Sequence, residues 1–201
     1  MEAQNLTPAD SPCPMFQGRD QLVHRLDAAV RRADTKAITH AVQSALVELI
    51  RHQQLTLPSD LTRTSDDHYA RHLVYRSEEL GYTVVAMVWG PGQGTALHDH
   101  AGTWCVEGVL SGEISVTQYE LLEHAGERWR FKQQDTICSH VGSAGSLIPP
   151  FEYHTIANAR ADGGASVTLH VYGREIDQCG IFEEQGNGWY QHRMRSLRYD
   201  N

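Results

Sequence analysis

Three histidines in this chain have the types and spacing to hold a metal ion. His98 and His100 stand two residues apart in Gly92 to Cys105. Side chains two apart on a strand point to one face, so the spacing predicts both imidazoles on one side of a sheet. A third histidine, His154, follows the run Pro149-Pro150-Phe151-Glu152-Tyr153 and precedes Asn158 by four residues. Neutral imidazole is the commonest protein ligand for transition metals. A His-x-His pair and a distant histidine, in a chain punctuated by glycine, predict a metal held by strands inside a barrel.

The elements that must position these residues divide the chain in two. Residues 1–17 read as a flexible arm. In residues 19–32 the apolar Leu22, Val23, Leu26, Ala29 and Val30 recur at helical spacing. A second helix is expected after Asp34, through Ile38, Val42, Ala45, Leu46, Leu49 and Ile50. Both are expected to cover a sheet. Pro58-Ser59-Asp60 predicts a turn or a short helix. From Tyr82 the pattern changes to strands: residues 83–89, 104–110, 114–122 with 128–132 across a turn at 124–127, then 138–141, 145–148, 154–158 and 166–172. Many short strands between Gly and Pro turns read as a barrel or sandwich. The Arg- and aromatic-rich residues 186–201 are expected to lie across the barrel surface.

The motifs resemble those of the cupin superfamily. Gly92, five residues, His98-x-His100, four residues, Cys105, six residues and Gly112 follow the first cupin motif, with Cys105 where cupins usually place glutamate. Pro149, His154 and Asn158 follow the second motif, with Phe151 replacing its glycine. Cysteine in place of glutamate makes the chain similar to the thiol dioxygenase branch, and within it to the cysteine dioxygenases. Tyr69-x-Arg71, Trp89-Gly90, Thr168-x-His170-x-Tyr172 and Asp177-x-Cys179-x-x-Phe182 match further motifs of that family, with Thr168 standing for its serine. The likeness runs from about residue 66 to 182.

That resemblance implies a mainly β fold: a cupin-type β-barrel or jelly roll, with N-terminal α-helices packed outside. It implies one cupin domain over residues 18–201, with a helical cap at about 18–65, the barrel at about 66–182 and a C-terminal tail at 183–201. It implies Fe(II) held by His98, His100 and His154, and oxidation of L-cysteine by O2 to cysteine sulfinic acid. Tyr172, His170 and Cys105 would be catalytic. Arg71, Tyr69, Trp89 and Thr168 would bind substrate. Cys105 and Tyr172 would be joined by a thioether bond.

The chemistry is consistent with the resemblance. Three imidazoles without a carboxylate leave a divalent metal its full charge, which favours an anionic donor such as a thiolate. A guanidinium at Arg71 can make paired, charge-assisted bonds to a carboxylate. Zinc hydrolysis could use the same three histidines, but only His170 offers itself as a base. Inside the class the alternative is a 3-mercaptopropionate dioxygenase. Such relatives usually lack an Arg at the position of Arg71 and a Cys at that of Cys105; Arg174 lies too close to Tyr172 to serve as the arginine they carry instead. Outside the class it is a non-enzymatic metal-binding cupin sensor.

Composition narrows the partners. With 17 Lys and Arg against 25 Asp and Glu, the net charge of −8 argues against nucleic acid. No apolar run is long enough to span a bilayer, and no membrane partner is expected. Cys13, Cys105, Cys138 and Cys179 match no zinc-cluster spacing and read as reduced thiols of a cytoplasmic protein. The partners expected are a small thiol and O2, and the assembly a monomer or weak homo-oligomer. His24, His52, His124 and His192 read as surface residues.

Overall fold

The computed structural model describes residues 13–201. The expected arm lies mostly outside them. Its last residues are tied down: Gln17 bridges to Thr56, and Phe16 packs on the core. Two helices follow, α1 (Arg19–Val30) and α2 (Thr35–Arg51). Asp34 caps α2 by accepting the Ala37 amide at 2.9 Å, which satisfies one of the orphan donors of the first turn. The 3-10 turn Ser59–Leu61 then leads into the strands.

All strand pairs are antiparallel. The first sheet has the order β1 (Ala70–Arg76), β2 (Thr83–Trp89), β9 (Ser166–Tyr172), β4 (Cys105–Ser111) and β7 (Ala144–Leu147). The second closes on itself: β10 (Gln178–Gly186), β11 (Trp189–Ser196), β6 (Arg128–His140), β5 (Glu113–Ala125), β8 (His154–Asn158) and β3 (Leu97–His98). This is the expected mainly β, cupin-type barrel with two N-terminal helices outside it. Among the described residues no helix is long and apolar enough to cross a membrane.

The first sheet is buried on both faces, so β2 is apolar at nearly every position rather than alternating. Val84, Ala86 and Val88 face out, under Leu22, Leu26, Leu46 and Leu49 of the helices. Val85, Met87 and Trp89 face in, with Cys105 and Tyr172. Burying each large helix side chain contributes about 1.5–3 kcal/mol. The helix layer therefore covers the outer face of the sheet whose inner face carries Cys105 and Tyr172. Gly108 of β4 permits this approach, because a Cβ there would stand 3.1 Å from Ile50 Cδ1.

Several boundaries depart from expectation. The hairpin of β5 and β6 is far longer than 114–122 with 128–132, and the separate strand expected at 138–141 is the end of β6. The segment read as a tail is not only a surface strap: it contains β11, which pairs with both β10 and β6. The last residues do cross the barrel, where Asn201 pairs with the backbone of Leu73. His100 lies just beyond β3 rather than on a strand with His98.

The motif residues have mechanical roles. Gly112 has φ of 77°, and a Cβ there would meet Ser166 Oγ at 2.4 Å. Asn158 Nδ2 reaches the carbonyls of Trp89, Gly90 and Gly164 at 2.9–3.0 Å. It fastens the second motif to the loop before the first.

Candidate metal centre

β3 and β8 are paired with His98 directly opposite His154. This register places the two Nε2 atoms 3.1 Å apart. His100 completes the group: the donor nitrogens of His98, His100 and His154 all lie within 4.8 Å of one another. His100 and His154 are buried; His98 borders the cavity.

Two of the rings have partners on Nδ1, whereas His154 Nδ1 is buried without one. His98 Nδ1 lies 3.1 Å from the Ala96 carbonyl. Glu152 accepts the His100 amide at 2.7 Å and lies 3.2 Å from His100 Nδ1. Such bonds orient metal-binding imidazoles and leave Nε2 as the donor. His100 Nε2 is buried and makes no hydrogen bond, as a nitrogen reserved for a metal would be. Burial and the neighbouring imidazoles push His98 well below its usual value. Burial pushes His154 down to about 4, against the raising effect of Glu107. Neutral imidazoles with free lone pairs are the form a metal requires. The residues fit a divalent transition metal.

β4 and β9 supply the next layer. Cys105 and Tyr172 are cross-strand partners, as are Glu107 and His170. His170 Nδ1 lies 3.4 Å from the Tyr172 hydroxyl and 4.0 Å from Cys105 Sγ. Its Nε2 lies 2.7 Å from Thr168 Oγ1, which accepts the Trp89 indole N–H at 2.9 Å. Burial pushes both the Cys105 thiol and the Tyr172 phenol well above their usual values, so both are protonated at neutral pH.

The cavity over the histidines is bordered by Tyr69, Arg71, His170, Tyr172, Arg195 and Leu197, among others. Arg71 reaches it from β1. One guanidinium nitrogen donates to the Arg198 carbonyl at 3.2 Å, while Nη2 is buried without a partner. His72, its neighbour, faces away and lies 3.0 Å from the Arg63 carbonyl. Tyr69 stacks on Trp89 with centroids 4.8 Å apart.

Two expected substrate contacts are displaced. Trp89 and Thr168 are fully buried behind the cavity wall and do not border it; they support Tyr69 and His170 instead. His192 is not a plain surface residue, since it packs on Phe182 and Trp129. The four cysteines form no disulfide.

Sequence reasoning missed Glu152, Glu107, Arg195 and Leu197. Glu107 also corrects the picture of a carboxylate-free site. Its Oε1 lies 3.5 Å from His154 Nε2 and 3.2 Å from His170 Nδ1. It forms an overlapping donor group with His100 and Cys105, distinct from the three-histidine group. Burial raises its pKa, but His154 and His170 outweigh that effect and hold the carboxyl well below the usual range.

A barrel of this kind carrying a three-histidine centre defines a metal-binding cupin. Residues 21–185 match the family model described as cysteine dioxygenase type I, and the chain belongs to that family, within the thiol dioxygenase cupins. It is similar to cysteine dioxygenase type 1 of Rattus norvegicus, at 24% identity over 121 residues, covering 58% of this chain and 56% of the relative. The Homo sapiens protein of the same name is 23% identical over the same shares. The match thus spans little more than half of these relatives. Among solved structures, a Cupin 2 conserved barrel domain protein from Salinispora arenicola CNS-205 is 14% identical with a TM-score of 0.40, covering 58% of this chain and 84% of that one.

Proposed function

We propose that this chain is an Fe(II)-dependent thiol dioxygenase that oxidises L-cysteine with O2 to cysteine sulfinic acid. The observation that carries the reading is one cavity holding two complementary features. These are three imidazoles grouped as a metal site and a buried guanidinium, Arg71, with an unused donor. Together they suit a small molecule with a thiol at one end and a carboxylate at the other.

Iron held by His98, His100 and His154 would supply the redox chemistry that lets a thiolate react with dioxygen. The protein's own residues do the rest. Arg71 binds the substrate carboxylate and fixes the distance of the thiol from the histidines. Tyr69 and Leu197 close the cavity and exclude water. The Tyr172 hydroxyl keeps its proton and can donate it to an oxygen atom near the histidines. His170, bonded to Thr168, fixes that region of the wall. The overall reaction balances as one thiol and one O2 giving one sulfinic acid.

Oxygen uptake tests the assignment. Iron-loaded protein is expected to consume one O2 per cysteine oxidised, with slower uptake on cysteamine and on 3-mercaptopropionate. Faster uptake with 3-mercaptopropionate would transfer the assignment to that substrate. No uptake with any thiol, despite bound iron, would leave a binding protein or sensor.

The same reading includes the thioether between Cys105 and Tyr172. Residues directly opposite on antiparallel strands have Cβ atoms about 4.5–5.5 Å apart, close enough for sulfur to reach the ring carbon beside the hydroxyl. The C–S bond replaces one S–H and one C–H, and O2 takes the two electrons and two protons. Intact mass is expected to show a species about 2 Da lighter that grows with turnover and is absent from Cys105→Ala, a shift of the two hydrogens removed rather than of any change in the oxidation ladder of free cysteine. A peptide map of extensively turned-over protein showing only free Cys105 would refute the crosslink.

A further inference from the structure

Glu107 is a charged side chain inside the barrel to which the proposed chemistry gives no task. It is 7% exposed and projects from β4 to the same side as Cys105, two residues on. A carboxylate is not buried without compensation. Its cross-strand partner on β9 is His170. The Nδ1 of that ring approaches Oε1 to 3.2 Å and His154 Nε2 lies 3.5 Å from it, yet neither is aligned as a hydrogen bond, so Oε1 is a buried acceptor without a partner.

The groups on both sides of His170 set the position of its proton. The Trp89 indole can only donate, and it donates to Thr168 Oγ1. The Thr168 oxygen keeps a second lone pair and its own proton, so towards His170 Nε2, 2.7 Å away, it can accept or donate, and the far side of the ring decides which. A neutral imidazole carries one proton, so when Nε2 accepts, Nδ1 must bear it. Three acceptors surround that N–H: Glu107 Oε1 at 3.2 Å, the Tyr172 hydroxyl at 3.4 Å and Cys105 Sγ at 4.0 Å. The carboxylate is the nearest, and a charged acceptor makes the stronger bond.

We propose that Glu107 is a positioning residue: it takes the Nδ1–H of His170, fixing that tautomer and leaving the Tyr172 hydroxyl free of His170. The chain of donors runs one way, from Trp89 through Thr168 and His170 to Glu107. Tyr172 stands beside it rather than in it. Its hydroxyl also meets Met87 Sδ, at 3.8 Å, and the Cys105 thiol, both weak sulfur partners. The part played by Tyr172 rests on the thiol dioxygenase reading; the tautomer of His170 does not.

The test separates the two. In zinc-loaded, 15N-histidine-labelled protein, long-range 1H–15N NMR is expected to show His170 protonated at Nδ1. Glu107→Leu is expected to convert it to a mixture, while Glu107→Gln, which keeps an acceptor oxygen, retains it. Thr168→Val is also expected to retain it, because the carboxylate alone suffices; this variant decides the matter if the leucine protein does not fold. An unchanged tautomer in Glu107→Leu, or a tautomer lost in Thr168→Val, overturns the proposal. With iron and cysteine, Glu107→Leu is expected to lower kcat by about 10–100-fold, the range for losing an outer partner of a metal site, with KM changed less than about threefold. A moved tautomer with unchanged kcat would refute the positioning role. Absence of all thiol turnover in the unaltered protein would instead refute the dioxygenase reading and leave the NMR result standing.

Discussion

Replacing His154 by alanine is expected to release the metal and abolish turnover. His154 is fully buried, and its Nε2 meets that of His98 at 3.1 Å, so its loss removes one of the three grouped donor nitrogens. Loss of an outer partner costs about 10–100-fold in metal affinity, and loss of one of three ligands must exceed that. Metal analysis after dialysis, with oxygen uptake alongside, measures both. Because an alanine at a fully buried site also leaves a void, His98→Ala is the companion variant: the same loss is expected there with a smaller packing cost. Stoichiometric metal and normal turnover in either protein would sink the ligand assignment.

The second large effect is expected at Arg71. Its Nη2 is buried without a partner, so the desolvation cost is present before substrate arrives and a carboxylate offsets it. Truncating one partner of a buried charge pair costs about 2–5 kcal/mol. At about 1.4 kcal/mol per factor of ten, Arg71→Ala is expected to lower kcat/KM for cysteine by at least about 30-fold, with the metal retained. Cysteamine has no carboxylate, and its rate is expected to change little. An equal fall for both thiols would show that Arg71 supports the cavity rather than reading the substrate.

The three-histidine group was legible from the His-x-His motif and the distant His154, although His100 proved to lie beyond the strand that carries His98; β2, β8 and β9 were legible because apolar or β-branched runs bounded by turns leave few alternatives. Other parts were hidden for physical reasons. Strand β11 is half-exposed and rich in Arg, so its sequence carries little apolar signal and reads as a surface tail. Strand β6 passes through Gln133, Gln134 and Asp135, where exposure on both sides removes the alternation that marks a strand. Trp89 and Thr168 share a face with cavity residues, but parity along a strand does not tell depth. Glu107 was passed over because a charged residue in a strand is expected outside; its two-residue offset from Cys105 places it inside. Glu152 offered no pattern at all, since its role depends on a loop returning to the His100 backbone.

The place of β9 in the first sheet has a consequence for how the chain is made. It lies between β2 and β4, yet it follows both in the chain, with β5 to β8 made before it. As the polypeptide leaves the ribosome, β2 and β4 emerge as apolar segments with bare edges and no strand between them. Such edges invite pairing with other chains. Until residue 172 has emerged, neither the helix-covered face nor the Cys105 side of the sheet can close. Ribosome-bound chains cut short before β9 are therefore the species most exposed to aggregation, and the most in need of a chaperone.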